Sequence, residues 1–298
     1  MKTTLFALPG NELLTKSLAA ITGCELGELE LRNFPDGETY IRVHAEVKGR
    51  KVIIVSTLNN PDAKLLPLWF LSQTVKELGA NNVCLVAPYL AYMRQDKQFN
   101  PGEGVTSSYF AKLISAFADE LITIDPHLHR RHSMSEIYTI PCQVLHAAPL
   151  ISSWIKKNVV KPVLVGPDVE SEQWVSAVAK DAGAPFIVLE KIRRGDSDVQ
   201  VTVPQVETYK ECTPVLVDDI ISTARTMIET VGHLKKTDLR APICIGVHAV
   251  FAAQSFQELM KAGSQRIVTT NSIQHESNGI EIVTILANAL SASSNMSC

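Results

Sequence analysis

The chain has 298 residues and a formal net charge of −3, with 46% hydrophobic and 20% charged residues; that balance belongs to a globular protein with ample core material, about two domains long, and argues against a nucleic-acid partner. Cys24, Cys84, Cys142, Cys212, Cys244 and Cys298 form no CxxC pair, which speaks against a structural zinc site or a disulfide framework. No apolar run approaches the roughly 18 residues of a membrane span, and Met1–Pro9 does not read as a secretory leader, so the expectation is a cytoplasmic protein with reduced thiols and no membrane contact.

Apolar, β-rich runs recur at Val52–Val55, Val83–Ala87, Leu121–Ile124, Val163–Val165, Phe186–Leu189, Val215–Val217 and Ile243–Val247. Leu68, Leu71, Val75 and Leu78 repeat at helical spacing between two of them, as do Trp174, Val175, Val178 and Ala179 between two others. Such alternation predicts an α/β fold with mainly parallel sheets flanked by helices.

Along the chain, the first candidate is Asn33–Arg42, where a Pro, a Gly and the carboxylates Asp36 and Glu38 form a turn entering an alternating strand. Taken neutrally it is a β-hairpin tip. Pro88–Lys97 follows a strand, at the end where open α/β sheets bind ligands; Arg94 and Lys97 suit phosphates, and Gln95 and Asp96 suit a nucleotide base. Asp125-Pro126-His127-Leu128-His129, with His132, has the histidines of a metal site but no Cys or Glu partner. A single His127 at a nucleotide phosphate or its hydrated Mg2+ fits better. Gly166-Pro167-Asp168 offers one carboxylate to a metal–phosphate unit.

Further on, Glu190–Asp196 is cationic and contains Gly, which suits a mobile loop closing over polyphosphate, and an extended backbone would set Lys191 and Arg193 on one side, as clamping a phosphate requires. The run Val215–Thr226 passes from a strand through Asp218 and Asp219 into Ser222, Thr223, Ala224, Arg225 and Thr226, and Met227–Leu234 reads as the start of a helix. Hydroxyls and N–H groups at a helix N-terminus suit an anion, and the acidic pair suits vicinal sugar hydroxyls, so the segment reads as a sugar-phosphate site. The plain alternative is an ordinary turn capped by Ser222 or Thr223.

Lys51–Tyr92 and Pro214–Phe251 run alike through strand, turn, helix, strand and loop, and only the second has the acidic pair and Ser/Thr-rich turn. A duplicated domain whose first copy lost its sugar-phosphate turn follows, with domains at 1–145 and 146–298.

Taken together, the segments resemble those of the ribose-phosphate pyrophosphokinase family, in the phosphoribosyltransferase-like superfamily, over nearly the whole chain. Its Phe-x-Asp-Gly-Glu segment corresponds to Phe34–Glu38, Pro-Tyr-x-x-Tyr-x-Arg-Gln-Asp to Pro88–Asp96, Asp-x-His to Asp125–His127, Pro-Asp to Pro167-Asp168, and Lys-x-Arg to Lys191–Arg193; Ser272–Asn278 also resembles a family segment. The resemblance implies Mg2+-dependent transfer of the β,γ-diphosphoryl group of ATP to the 1-hydroxyl of ribose 5-phosphate by a homo-oligomer. It further implies that Asp36 and Glu38 bind adenine across a subunit contact, and that Arg94, Gln95, Asp96 and Lys97 bind ATP. His127 and Asp168 would sit at the Mg2+–nucleotide centre, Asp218, Asp219 and Ser222–Thr226 would hold ribose 5-phosphate, and Lys191 and Arg193 would stabilise charge at the β-phosphorus.

Three positions depart from the commonest family pattern. Ser222 stands where Asp is frequent, Pro126 and Leu128-His129 surround His127, and Arg225 replaces a small residue, usually Gly, in the phosphate turn. Arg225 adds a cation there and is expected to need a backbone conformation that a non-Gly residue can hold. Two other readings are a phosphoribosyltransferase using the same turn and a catalytically silent partner of the synthetase. The first leaves the Pro88–Lys97 loop unexplained, and the second sits poorly with Lys191 and Arg193.

Overall fold

The computed structural model describes residues 2–128, 130–167, 171–193, 199–202, 206–237 and 239–295. In chain order it runs β1 (Thr3–Ala7), α1 (Glu12–Thr22), β2 (Glu25–Leu26), β3 (Leu29–Asn33), β4 (Thr39–Val43), β5 (Lys51–Val55), α2 (Asp62–Glu77), β6 (Asn82–Ala87), α3 (Thr106–Phe117), β7 (Glu120–Ile124) and β8 (Cys142–Leu145). Then come α4 (Ala148–Asn158), β9 (Pro162–Gly166), α5 (Glu172–Ala182), β10 (Phe186–Val188), β11 (Glu190–Arg193), β12 (Val199–Thr202), β13 (Thr213–Ile221), α6 (Arg225–Leu234), β14 (Ile243–Ala249), α7 (Ser255–Ala262), β15 (Arg266–Thr270), β16 (Asn278–Ile280) and α8 (Val283–Asn295).

Two six-stranded sheets result, ordered β2-β1-β5-β6-β7-β8 and β10-β9-β13-β14-β15-β16, and every pairing within them is parallel. Helices cover such sheets on both faces, so a central strand such as β5 is buried along its whole length. Val52, Ile53, Ile54 and Val55 are almost fully inaccessible, each contributing about 1.5–3 kcal/mol of burial. In the second sheet Val163, Val165, Leu216, Met227, Val231, Leu234 and Leu259 form the corresponding core.

The duplication extends to detail. Each sheet follows one strand order, in which the first strand is flanked by the second and the third. The helix after the first strand ends on a left-handed glycine in both copies, Gly23 and Gly183. Between the second and third strands both copies also insert an antiparallel hairpin, β3–β4 in one and β11–β12 in the other.

All seven apolar runs are strands, β13 reaching from Thr213 to Ile221 because its acidic end still pairs with β14, Asp218 opposite Gly246 and Ile220 opposite His248. The division of the chain differs from a single cut. The compact units are Met1–Leu145 with Val283–Cys298, and His146–Ile282. The last helix packs on α1, so the expected second domain, 146–298, gives up its C-terminal helix to the first unit. Short β16 completes the second sheet before the chain leaves it, and no apolar pattern along the sequence marks that exit.

Candidate functional site

In both sheets the strand order reverses around the first strand, between it and the third, which is where a parallel α/β sheet opens a ligand crevice beyond its carboxyl ends. In the second unit this point lies between β9 and β13, so Gly166, the last residue of β9, and the turn after Ile221 border it. Asp168 lies outside the described residues, two positions beyond Gly166.

The turn itself is built tightly. Ala224 adopts a left-handed backbone, φ 55° and ψ 12°, and delivers the chain into α6, which begins at Arg225. The loop after β14 fixes it from the side: the Ala252 N–H and the Ser255 hydroxyl both donate to the Ser222 carbonyl, at 3.1 and 2.6 Å. Neither Ser222 nor Thr223 caps α6, whose N-terminus receives no side-chain hydrogen bond, and its first turn has no acidic residue. Thr223, Arg225 and Thr226 are exposed. An open, positive helix end beside three polar side chains is suited to a phosphate group. The constrained conformation expected at Arg225 falls instead on Ala224, and Arg225 is an ordinary first-turn helical residue. Asp218 and Asp219 are half-buried at the end of β13, with the Asp218 carboxylate accepting the Asp219 N–H at 2.9 Å.

The equivalent point of the first unit is bridged by the protein's own side chains. Asn11, buried after β1, accepts the Thr57 N–H at 3.0 Å and donates to the Leu8 carbonyl at 3.1 Å. Lys64 of α2 folds over the turn after β5, donating to the Thr57 carbonyl at 2.7 Å and to Asn59 Oδ1 at 2.5 Å, and its burial pulls its pKa down. This turn therefore offers acceptors to a cation where its counterpart offers donors to an anion.

The segments of Arg94–Lys97 and His127 lie further along the first unit's sheet, on the loops after the neighbouring strands β6 and β7. Arg94 and Lys97 are exposed and Gln95 is half-buried. The Asp96 side chain is only 3% exposed, and both its oxygens accept from Arg130 Nη1, at 3.1 and 3.3 Å. Asp96 thus ties the Arg94–Lys97 loop to the loop bearing His127, and is not the open, base-reading carboxylate expected from sequence. Arg131 adds contacts to the Asp96 carbonyl and the Ser107 and Ser108 hydroxyls. Tyr92 braces the same loop by donating its hydroxyl to Asp62. The sequence points to Arg130 and Arg131 only through the Arg-Arg pair three residues beyond His127.

Asp36 and Glu38 are exposed at the tip of the β3–β4 hairpin, where Gly37, at φ 95°, makes a turn closed by Phe34 N–H on the Glu38 carbonyl at 2.8 Å. The Arg32 guanidinium lies over Tyr40 at 4.1 Å and Phe34 at 5.0 Å, and the hairpin and α2 line an open groove of about 580 Å3 bordered by Phe34, Tyr40, Trp69 and Phe70. Among the described residues no hydrogen bond or ion pair joins the tip to the Arg94–Lys97 loop. In the second hairpin Lys191 and Arg193 occupy alternate positions of the paired strand β11, opposite Val201 and Val199, and not the loop expected from sequence. His129 lies outside the described residues, and among those described no three His, Cys, Asp or Glu side chains gather in a metal-binding cluster.

Two family models match this chain. The N-terminal domain of ribose phosphate pyrophosphokinase matches residues 3–117, and the phosphoribosyl transferase domain matches 133–284. The chain belongs to the ribose-phosphate pyrophosphokinase family. Family members similar to it include ribose-phosphate pyrophosphokinases of Methanothermobacter thermautotrophicus, 31% identical over 94% of this chain and 97% of that one, and of Methanobrevibacter smithii, 30% identical over 93% and 97%. The fold matches the crystal structure of phosphoribosylpyrophosphate synthetase from Mycobacterium smegmatis with a TM-score of 0.86 over 99% of both chains, at 22% identity.

Proposed function

We propose that the protein is a ribose-phosphate diphosphokinase that transfers the β,γ-diphosphoryl group of MgATP to ribose 5-phosphate. The sugar's 1-oxygen attacks the β-phosphorus, the bond from that phosphorus to the α,β-bridging oxygen breaks, AMP leaves with that oxygen, and the hydroxyl proton passes to solvent. The observation that carries the reading is the asymmetry of the duplicated units: the turn at Ser222–Thr226 is open to an anion, whereas its counterpart is occupied by Asn11 and Lys64, and the first unit instead presents the cationic loop of Arg94 and Lys97. Family membership supports the same reading.

In this reading Asp218 and Asp219 hold the ribose hydroxyls, and Ser222, Thr223, Ala224, Arg225 and Thr226 hold the 5-phosphate. Arg94, Gln95 and Lys97 take the nucleotide, with Asp96 keeping their loop in place. Asp36 and Glu38 serve the adenine of a neighbouring subunit in a homo-oligomer, which their exposure on a hairpin tip supports. Lys191 and Arg193 of β11 meet the charge that develops at the β-phosphorus; diphosphoryl transfer asks mainly for positioning and charge stabilisation.

Magnesium suits this donor set, because the ion takes one or two protein ligands and fills its remaining positions from phosphates and water. His127 and Asp168 would stand at that centre, where the bound ion would neutralise phosphate charge. No helix among the described residues is long and apolar enough to cross a membrane, and a cytoplasmic location accords with free cysteines at 24, 84, 142, 212 and 244.

An assay for AMP tests the reading. Release is expected only when MgATP and ribose 5-phosphate are both present, with EDTA abolishing it and Mg2+ restoring it. Lys191→Ala and Arg193→Ala should each lower kcat by about two orders of magnitude or more with a far smaller effect on nucleotide affinity, as for contacts made in the transition state. Pyrophosphate release from phosphoribosyl pyrophosphate and a free base, without AMP formation from ATP, would establish the transferase reading instead.

A further inference from the structure

The segment from Gln95 to Glu103 is an irregular loop closed on one carboxylate. Glu103 Oε2 accepts the backbone N–H groups of Phe99 and Asn100, at 2.7 and 3.0 Å, and Nε2 of Gln95 at 3.4 Å, while Oε1 accepts Nδ2 of Asn100 at 2.6 Å. Gln98 Nε2 closes the loop again on the Glu103 carbonyl at 2.9 Å. An irregular loop lacks the ladder partners that satisfy a strand, and here a charged acceptor supplies them.

What the clamp holds in place is cationic. Phe99 is exposed, with Lys97 Nζ 5.1 Å and Arg130 Cζ 5.4 Å from its ring centroid. Two cations drawn to one aromatic ring repel each other, so their grouping depends on the ring's position and on Asp96, which pairs with Arg130. Hydrogen bonds from Asn100 hold the Glu103 carboxyl below the usual carboxylate range, so the clamp stays charged across neutral pH. Residues 97–102 are exposed apart from the clamp. The loop contributes little to the core, so its geometry can change with little change in fold stability.

We propose that Glu103 is a positioning residue for nucleotide binding, shaping the loop so that Phe99 gathers Lys97 and Arg130 into one cationic group facing the polyphosphate. The inference rests on the reading of this loop as the MgATP site. Glu103 itself touches no substrate.

The test compares Glu103→Gln, Glu103→Ala and Phe99→Leu in the full-length protein by kinetics, by direct MgATP binding and by thermal melting. In Glu103→Gln an amide NH2 replaces one acceptor oxygen and confronts a donor. KM and Kd for MgATP should rise about tenfold in all three variants, with KM for ribose 5-phosphate within about twofold and a melting temperature within about 2 °C of the unmodified protein. MgATP affinity within twofold of the unmodified protein in both Glu103 variants would overturn the proposal, as would a joint rise of both KM values with a lowered melting temperature. If the unmodified protein binds MgATP but releases no AMP, the diphosphokinase reading falls while the affinity comparison still decides the role of Glu103. If it binds no MgATP, both fall.

Discussion

Ala224 carries the backbone strain of the turn between β13 and α6. A left-handed conformation costs an L-residue about 1–2 kcal/mol, and non-glycine residues in that region recur where the chain leaves the sheets: Tyr92, Asp125 and His127 after β6 and β7, Ala224 and Ala253 after β13 and β14. Such strain persists where surrounding structure enforces it, and it gathers at functional sites. Ala224→Gly should therefore stabilise the protein by about 1 kcal/mol in urea denaturation. Arg225 makes no ion pair among the described residues and stands at a positive helix end, where a bound anion would compensate its charge. Arg225→Ala should raise KM for ribose 5-phosphate about tenfold through loss of a charge-assisted contact, leaving KM for MgATP unchanged. An unaltered KM for the sugar phosphate would remove Arg225 from the site.

At the scale of elements, the turn's position depends on the packing of β13 against β14. Gly246 of β14 lies opposite Asp218, and a Cβ there would sit 2.6 Å from Ile221 Cγ1 and 2.7 Å from its Cδ1. Ile221 is buried in the core and immediately precedes Ser222, so crowding its side chain disturbs the packing beside the turn. Gly246→Ala should cost about 1–3 kcal/mol by overpacking, and in the folded fraction it should weaken ribose 5-phosphate binding more than MgATP binding. A stable variant with native affinity for both substrates would show that β14 leaves room for a methyl group. The two hairpins show the same logic: one topological slot, between the second and third strands, takes the exposed tip of Asp36 and Glu38 in one unit and the strand of Lys191 and Arg193 in the other.

At the scale of the molecule, the C-terminal helix belongs to the N-terminal unit. Buried Leu286 and Leu290 on α8 serve that unit's packing, so a chain ending at Ile282 should retain the second sheet and lose protection around α1. Hydrogen exchange would show this as faster exchange confined to Glu12–Thr22 and its neighbours. Faster exchange across β13 and β14 instead would mean that α8 supports the second unit.

The α/β class, the duplication, the seven apolar strands and the strand-to-helix turn at Ser222–Thr226 are legible in sequence, because burial of a parallel strand on both faces demands a continuous apolar run and because turn chemistry is local. Strands such as β8, β15 and β16 carried no distinguishing apolar signal of their own and emerge only from pairing with a neighbour. Three features were set by tertiary structure: the left-handed residue is Ala224 and not Arg225, Asp96 is a strut between loops, and Asn11 and Lys64 close the first unit's crevice. Each depends on residues distant along the chain: Ser255 and Ala252 on Ser222, Arg130 on Asp96 across 34 positions, Asn11 on Thr57 across 46. Residue type and spacing state what chemistry a segment can perform, but whether a charged group faces a ligand or a neighbouring side chain is decided only when the sheet brings its loops together.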